Sequence, residues 1–397
     1  MRNRLLFILV VLCSSVSAQY DTAHYIAPSS WDMFNDAHEI VLSTLSIVPV
    51  DVFVYSSDEV LLGQTTVVKG APTRYDLTGS VAVSQSTPLN TVLVNKGLIV
   101  RSLVSVGVNV RNISGDNFLP NIKGNTSLTS KGRIAIGNEF RLIYFRDYPA
   151  YYSFLALEDN TVINKNGVLL TTLNAGESYM IGGDILVAAL GDLIESTKDI
   201  TLTVSAPQDS PGLCADPVSD QLVPIPFAGK EYITVMGEGT PSLNIEYSTI
   251  VATEDNTFIT LDGVFLTVLF LAGDFITIPN GLNPFDVNYI EANKPVILAQ
   301  GAGQGCEHGM SIIPPLGCTG SRHIETLDFS GLDYSVFVIK KCTDTTLILN
   351  GDTLVDSTPI PGSNWNLFLF DNTDVLQEGI ILDAATLMHV GILQDGG

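Results

Sequence analysis

The sequence predicts an all-β protein built from tandem pseudo-repeats of antiparallel, β-sandwich-like modules, with a β-propeller as the alternative arrangement of the same strands. Three observations carry that prediction. Helical periodicity is scarce. In its place stand runs of roughly four to eight β-branched and aromatic residues bounded by Gly, Asn, Asp or Pro, such as Tyr232–Met236, Thr257–Leu261, Phe275–Ile278 and Pro295–Ala299. The dipeptides Asn166-Gly167, Asp262-Gly263 and Asn350-Gly351 fall between such runs and suit tight hairpins whose central residues need φ > 0. The runs also recur as a set, at a period of about ninety residues, the mark of a repeat architecture.

In chain order, the first segment reads as a secretory signal. Arg2 and Arg4 precede the apolar run Leu5–Leu12, and Val16-Ser17-Ala18 offers small residues for cleavage. That run is shorter than the roughly 20 residues a spanning helix needs. Cleavage after Ala18 is therefore expected, in preference to lipidation at Cys13, where the preceding Leu12 is too bulky. No transmembrane segment follows, because the longest later apolar stretch, Val264–Leu271, is broken by Gly273 and Asp274.

Four modules are expected after the signal (1–18). The first, degenerate copy (25–116) holds VFVYSSD from Val52, the bend Lys69-Gly70 and LIVRSLVSVGVNV from Leu98. The second (119–210) holds YSFLALEDNTVINKNG from Tyr152, Ala175-Gly176 and LIESTKDITLTV from Leu193. The third (211–310) repeats these as YSTIVATEDNTFITLDG from Tyr247, Ala272-Gly273 and YIEANKPVILAQ from Tyr289. The fourth (311–397) has YSVFVIKKCTDTTLILNG from Tyr334, Pro361-Gly362 and IILDAATLMHVG from Ile380. Each module offers enough short strands for a small sandwich. A propeller would need two four-stranded blades of about 40–45 residues per module, and no such sub-period is visible.

Composition narrows the function. With 42 acidic against 19 basic residues and a net charge of −23, the surface repels phosphate backbones, so nucleic acid is not an expected partner. Only 15% of residues are charged, so this is a packed chain with a thin acidic coat and not a disordered acidic tail. Past the signal stand four cysteines, Cys214, Cys306, Cys318 and Cys342, an even number that in an exported chain reads as two disulfides. Their places favour Cys214 with Cys306 and Cys318 with Cys342, although spacing leaves the pairing open.

A catalytic constellation is not legible. There is no GxSxG, and the histidines are scattered. Cys306-Glu307-His308 lacks a second ligand nearby for a metal, and Gly301–Gly305 lacks the lysine and helix of a phosphate loop. The Glu158-Asp159-Asn160-Thr161 and Glu254-Asp255-Asn256-Thr257 turns suit hard cations, but the same side chains also bond their own turn backbones, which is the preferred reading. No catalytic, cofactor or metal residue is assigned, and no cofactor is expected. The stretch Tyr144–Tyr152 concentrates aromatics around Arg146. Alternating aromatics in a strand commonly pack inward, yet Tyr144, Arg146, Tyr148, Tyr151 and Tyr152 form the best candidate contact surface, since exposed rings anchor partners or stack on sugars.

Four segments carry a family resemblance: SKGRIAIGNEFRLIYF (Ser130–Phe145), CADPVSDQLVPIPFAGKEYITV (Cys214–Val235), IVATEDNT (Ile250–Thr257) and IIPPLGC (Ile312–Cys318). They resemble a region of large secreted surface proteins of Bacteroidetes, one similar to the domain named after the N-terminus of the IgGFc-binding protein. The resemblance implies a surface or secreted location and further C-terminal domains. It maps no antibody-binding residues onto this chain. The expected function is a non-enzymatic binding or adhesion role at the cell surface or outside it, toward an extracellular protein or glycan. The alternatives are a secreted glycan-processing enzyme module and a structural stalk.

Overall fold

The computed structural model describes residues 20–30, 37–80, 82–83, 88–113, 125–206, 217–305, 307–317, 319–327, 334–344, 346–354, 356–371 and 379–394. Among them, strands form four sheets and the only helical elements are three short 3-10 turns. No helix is long and apolar enough to cross a membrane.

Each sheet is organised on one long strand: Leu98–Ile113, Leu193–Ala206, Val287–Gly305 and Gly379–Gln394. The first half of the long strand pairs with the inner strand of a hairpin, respectively Val50–Ser56, Thr161–Lys165, Thr257–Leu261 and Leu347–Leu349. Its second half pairs with Ala37–Thr44, Tyr151–Ala156, Tyr247–Ala252 and Tyr334–Lys341. A lead strand (Tyr20–Ile26, Gly137–Arg141, Gly229–Val235, Ser321–Leu327) runs along the other side, and in all four sheets its register with the long strand slips at the same point. Such an irregularity bends a strand and sharpens its twist.

The bend explains how one continuous sheet makes two layers. In the first sheet, Leu98 and Val100 come from before the bend and Val106, Val108 and Val110 from after it. All of them enter a single core with Ile40, Leu42, Val52 and Val54. The result is a sandwich-like unit folded from one bent sheet, in place of paired propeller blades. The hairpins close as their dipeptides require: Asn166-Gly167, Asp262-Gly263 and Asn350-Gly351 all have φ > 0 at both residues. The first two sheets also take a strand from beyond residues 116 and 210, and the third takes one that straddles residue 310. Asn125–Thr129, Val218–Gln221 and Glu307–Ile313 fold back to cover the free side of the long strand.

The sheets pack on one another in two ways. The second and third share a core in which Phe140, Phe154 and Ile200 meet Val251, Ile297 and Ile312. The third and fourth share another, with Ile233, Val235 and Tyr289 against Ile339, Trp365 and Leu367. The first sheet instead holds its neighbours by polar contacts, to the second through Ser29 and Ser219 (2.7 Å) and to the fourth through Gly70 N–H and Glu325 Oε1 (2.7 Å).

Candidate contact surface

The repeated turns are occupied by the fold itself. In the second sheet Asp159 Oδ1 accepts the Ala175 amide (3.1 Å), Thr161 Oγ1 donates to Glu158 O (2.7 Å), and Lys198 Nζ donates to Asp159 O (2.7 Å). The third sheet repeats each bond: Asp255 Oδ1 with the Ala272 amide (2.8 Å), Thr257 Oγ1 with Glu254 O (2.7 Å), and Lys294 Nζ with Asp255 O (2.6 Å). Asn160 and Asn256 sit at φ 57° and 55°, the left-handed position that asparagine tolerates. The carboxylate thus ties the turn to the glycine bend after the hairpin, the backbone role preferred from the sequence.

The Asp220-Gln221 pair is a joint. Asp220 is buried, accepts Lys131 Nζ (2.7 Å) on one oxygen and the Ile312 amide (2.6 Å) on the other, and so links the first three sheets. Gln221 accepts the Lys131 amide (2.9 Å) and donates to Tyr25 O (2.6 Å). In the sequence the pair stands inside the resembling segment Cys214–Val235. Its work as a three-way polar joint was not legible, because every partner is distant in the chain.

Of the four cysteines, Cys214, Cys306 and Cys318 lie outside the described residues. Cys342 is exposed, with Sγ 3.0 Å from Asn366 Oδ1. His308, from the Cys306–His308 cluster, is buried with its ring 6.0 Å from that of Phe145, and burial lowers its pKa to about 3. It is a core histidine held neutral.

The aromatic stretch divides in two. Tyr144 and Tyr152 are wholly buried in the core of the second and third sheets and present no face to solvent, which corrects their place in the candidate surface. The reason is strand alternation: Tyr152 lies opposite Val204 and Ile181, between two buried strands, and burial raises its phenol pKa. Tyr151 points the other way and is half-buried, with its ring close to Gly183.

Arg146 and Tyr148 form the outward part. The Arg146 guanidinium lies 5.1 Å from the Phe145 ring centroid and 4.8 Å from that of Tyr148, a cation–π stack with one buried and one solvent-facing ring. Arg146 Nη1 also donates to Leu243 O (3.1 Å) and Asn244 O (3.0 Å), which pins the stack to the short 3-10 turn Pro241–Leu243 of the third sheet. Tyr148 is 44% exposed. The arrangement presents a phenol ring whose rotamer is already restrained, so a partner would order it at low entropic cost. The two carbonyls that fix it gave no signal in the sequence, being backbone atoms of a distant loop.

A family model described as IgGFc binding protein matches residues 125–376, well over half of the chain, and the matched segment includes Tyr148 and both Glu-Asp-Asn-Thr turns. No curated protein matches the chain.

Proposed function

The chain belongs to the IgGFc-binding protein family, and from that premise we propose that it is an exported, non-enzymatic protein that binds an extracellular protein or glycan. Family membership is the observation that supports the reading. Export rests on the signal read at residues 1–18, and display rests on four modules that share one scaffold and differ in their loops. The repeated Glu-Asp-Asn-Thr turns spend their polar groups on the fold, so binding falls to positions where the copies differ. The Arg146–Tyr148 loop is the best of these. An aromatic ring and an arginine, restrained and partly exposed beside buried neighbours, have the composition of an interface hot spot. Presented on a cell surface, the same loop would serve adhesion.

The test is a binding panel with the chain from Gln19, using immobilised immunoglobulin Fc, mucin, matrix proteins and a glycan array. Saturable binding to a member of the panel is expected, weakened about tenfold or more by Tyr148→Ala, the order expected for truncating an aromatic anchor. Binding untouched by both Tyr148→Ala and Arg146→Ala would move the contact elsewhere. Turnover of a polysaccharide with no binding on the panel would replace the reading with an enzymatic one.

A further inference from the structure

The outer edge strands of the second, third and fourth sheets differ in what covers them. Ser178, Phe275 and Leu367 are equivalent: each lies opposite the residue (Leu155, Val251, Ile339) that precedes the partner of Ile200, Val296 or Met388 on the long strand. In the second sheet an extended segment from upstream, Val92–Leu93, adds antiparallel to this edge, with Leu93 opposite Ser178 and Val92 opposite Tyr179. The Asn90 amide then donates to Met180 O (2.9 Å). In the fourth sheet Thr358–Pro359 does the same, with Thr358 opposite Leu367. In the third sheet, among the described residues, no strand pairs with the outer edge of Phe275–Pro279.

Exposure follows that difference. Ser178 is fully buried and Leu367 is 4% exposed, whereas Phe275 is 38% exposed. The main chain also turns polar groups toward that outer side. Ala252 N–H donates to Asp274 O (2.9 Å) and Asn280 N–H to Glu246 O (3.1 Å), so the even-numbered residues face the inner neighbour. Alternation along a strand then directs the N–H and C=O of Phe275 and Thr277 outward. Thr277 is the counterpart of Met180, whose carbonyl is used in the second sheet. Pro279, with no N–H, ends the available edge.

A groove of about 540 Å³ lies along this edge, lined by Thr267, Val268, Leu269, Phe275, Ile276 and, from the second sheet, Leu190. Its one carboxylate on this wall, Asp274, accepts the Leu271 amide (2.9 Å), and the chain as a whole carries −23. An acidic occupant is therefore disfavoured.

We propose that Phe275–Pro279 is a strand-addition site. It takes an extended peptide segment of a partner protein, uncharged or basic and with aliphatic side chains at alternate positions. The segment pairs antiparallel with the outward groups of Phe275 and Thr277 and covers the Phe275 ring, as Val92–Leu93 does for the second sheet. Phe275 lies opposite Val251, at the end of the Tyr247–Ala252 strand remote from the Leu243–Asn244 loop that Arg146 contacts, and Tyr148 contributes nothing to the proposed site.

The probe is a synthetic heptapeptide with the sequence of Asn90–Lys96, NTVLVNK, titrated into the intact chain, in which the protein's own copy already occupies the second sheet. Saturable binding is expected, with amide exchange at Phe275 and Thr277 slowed tenfold or more. A control peptide with prolines replacing Val92 and Val94 is expected not to bind. Phe275→Asp, at an exposed position, and Thr277→Pro, which removes an outward N–H, are each expected to weaken binding at least tenfold; if Thr277→Pro does not fold, Phe275→Asp decides. Equal binding of both peptides, undiminished binding to Phe275→Asp, or slowed exchange in the second sheet instead would overturn the proposal. Sedimentation showing a dimer of the chain alone that Phe275→Asp dissociates would also overturn it, by giving the edge to a second copy.

Discussion

The third and fourth sheets meet mainly through apolar and aromatic packing, whereas the first sheet meets its neighbours through groups that donate, accept or carry charge. In the first kind of joint, Trp365 (5% exposed) packs with Ile233, Val235, Tyr289 and Ile339. In the second kind, Glu325 accepts the Gly70 amide, Arg111 Nη2 donates to Leu327 O (2.6 Å), and Ser130 Oγ donates to Gln221 Oε1 (3.2 Å). An apolar joint gains free energy in proportion to the area it removes from water and is indifferent to pH. A polar joint contributes little net free energy per bond but has one geometry, and breaking it leaves buried groups unpaired. The chain thus uses hydrophobic area to hold its later sheets together and directional bonds to fix where the first one sits.

The largest effect that would test this comparison is at Trp365. Trp365→Ala should cost about 3–5 kcal/mol in urea denaturation, the range for emptying a buried indole site. A loss below about 1 kcal/mol would mean that the third–fourth joint is not carried by packing. At the joint of the first three sheets, Asp220→Ala should cost about 3 kcal/mol, because Lys131 and the Ile312 amide lose their common acceptor. Asp220→Asn, which keeps an acceptor without the charge, should recover part of that loss.

The smallest effect separates the two joints by pH. His323 Nδ1 lies 2.6 Å from Asp383 Oδ1 and its Nε2 2.5 Å from Glu325 Oε1. Burial by itself would lower the His323 pKa, but the hydrogen bonds to Glu325 and Asp383 outweigh it and raise the pKa above the ordinary value of 6.5. A raised histidine pKa contributes stability that is complete below the unfolded value and is lost as pH rises through the folded one. Exchange of the Gly70 amide should therefore quicken as pH rises from about 6.5, beyond the intrinsic rate increase, while amides at the third–fourth joint follow the intrinsic rate alone. Glu325→Gln should flatten the excess, and an unchanged excess in that variant would detach the effect from His323.

Much of the fold could be read from particular residues. Asn166-Gly167, Asp262-Gly263 and Asn350-Gly351 marked the hairpins because few residues accept φ > 0, and the structure puts all six there. The Glu-Asp-Asn-Thr turns could be read for the same reason. The aromatic stretch was legible only as a composition. Tyr148 and Tyr152 are four residues apart and chemically identical, yet one faces solvent and the other is fully buried. Which face of a strand is covered depends on what packs above it, and for Tyr152 that is a core shared with the third sheet.

The sequence by itself determined the all-β class, the hairpins and the turn chemistry, since these depend on backbone preferences acting within a few residues. Only the tertiary structure decided which polar residues are joints, which aromatics are surface, and which of the equivalent sheet edges has no partner strand among the described residues. Glu325 and Gly70, or Asp220, Lys131 and Ile312, are far apart along the chain and are brought together by the packing of whole sheets. Local preference carries no record of such partners, because the free energy that selects them belongs to the packed assembly and not to any one segment.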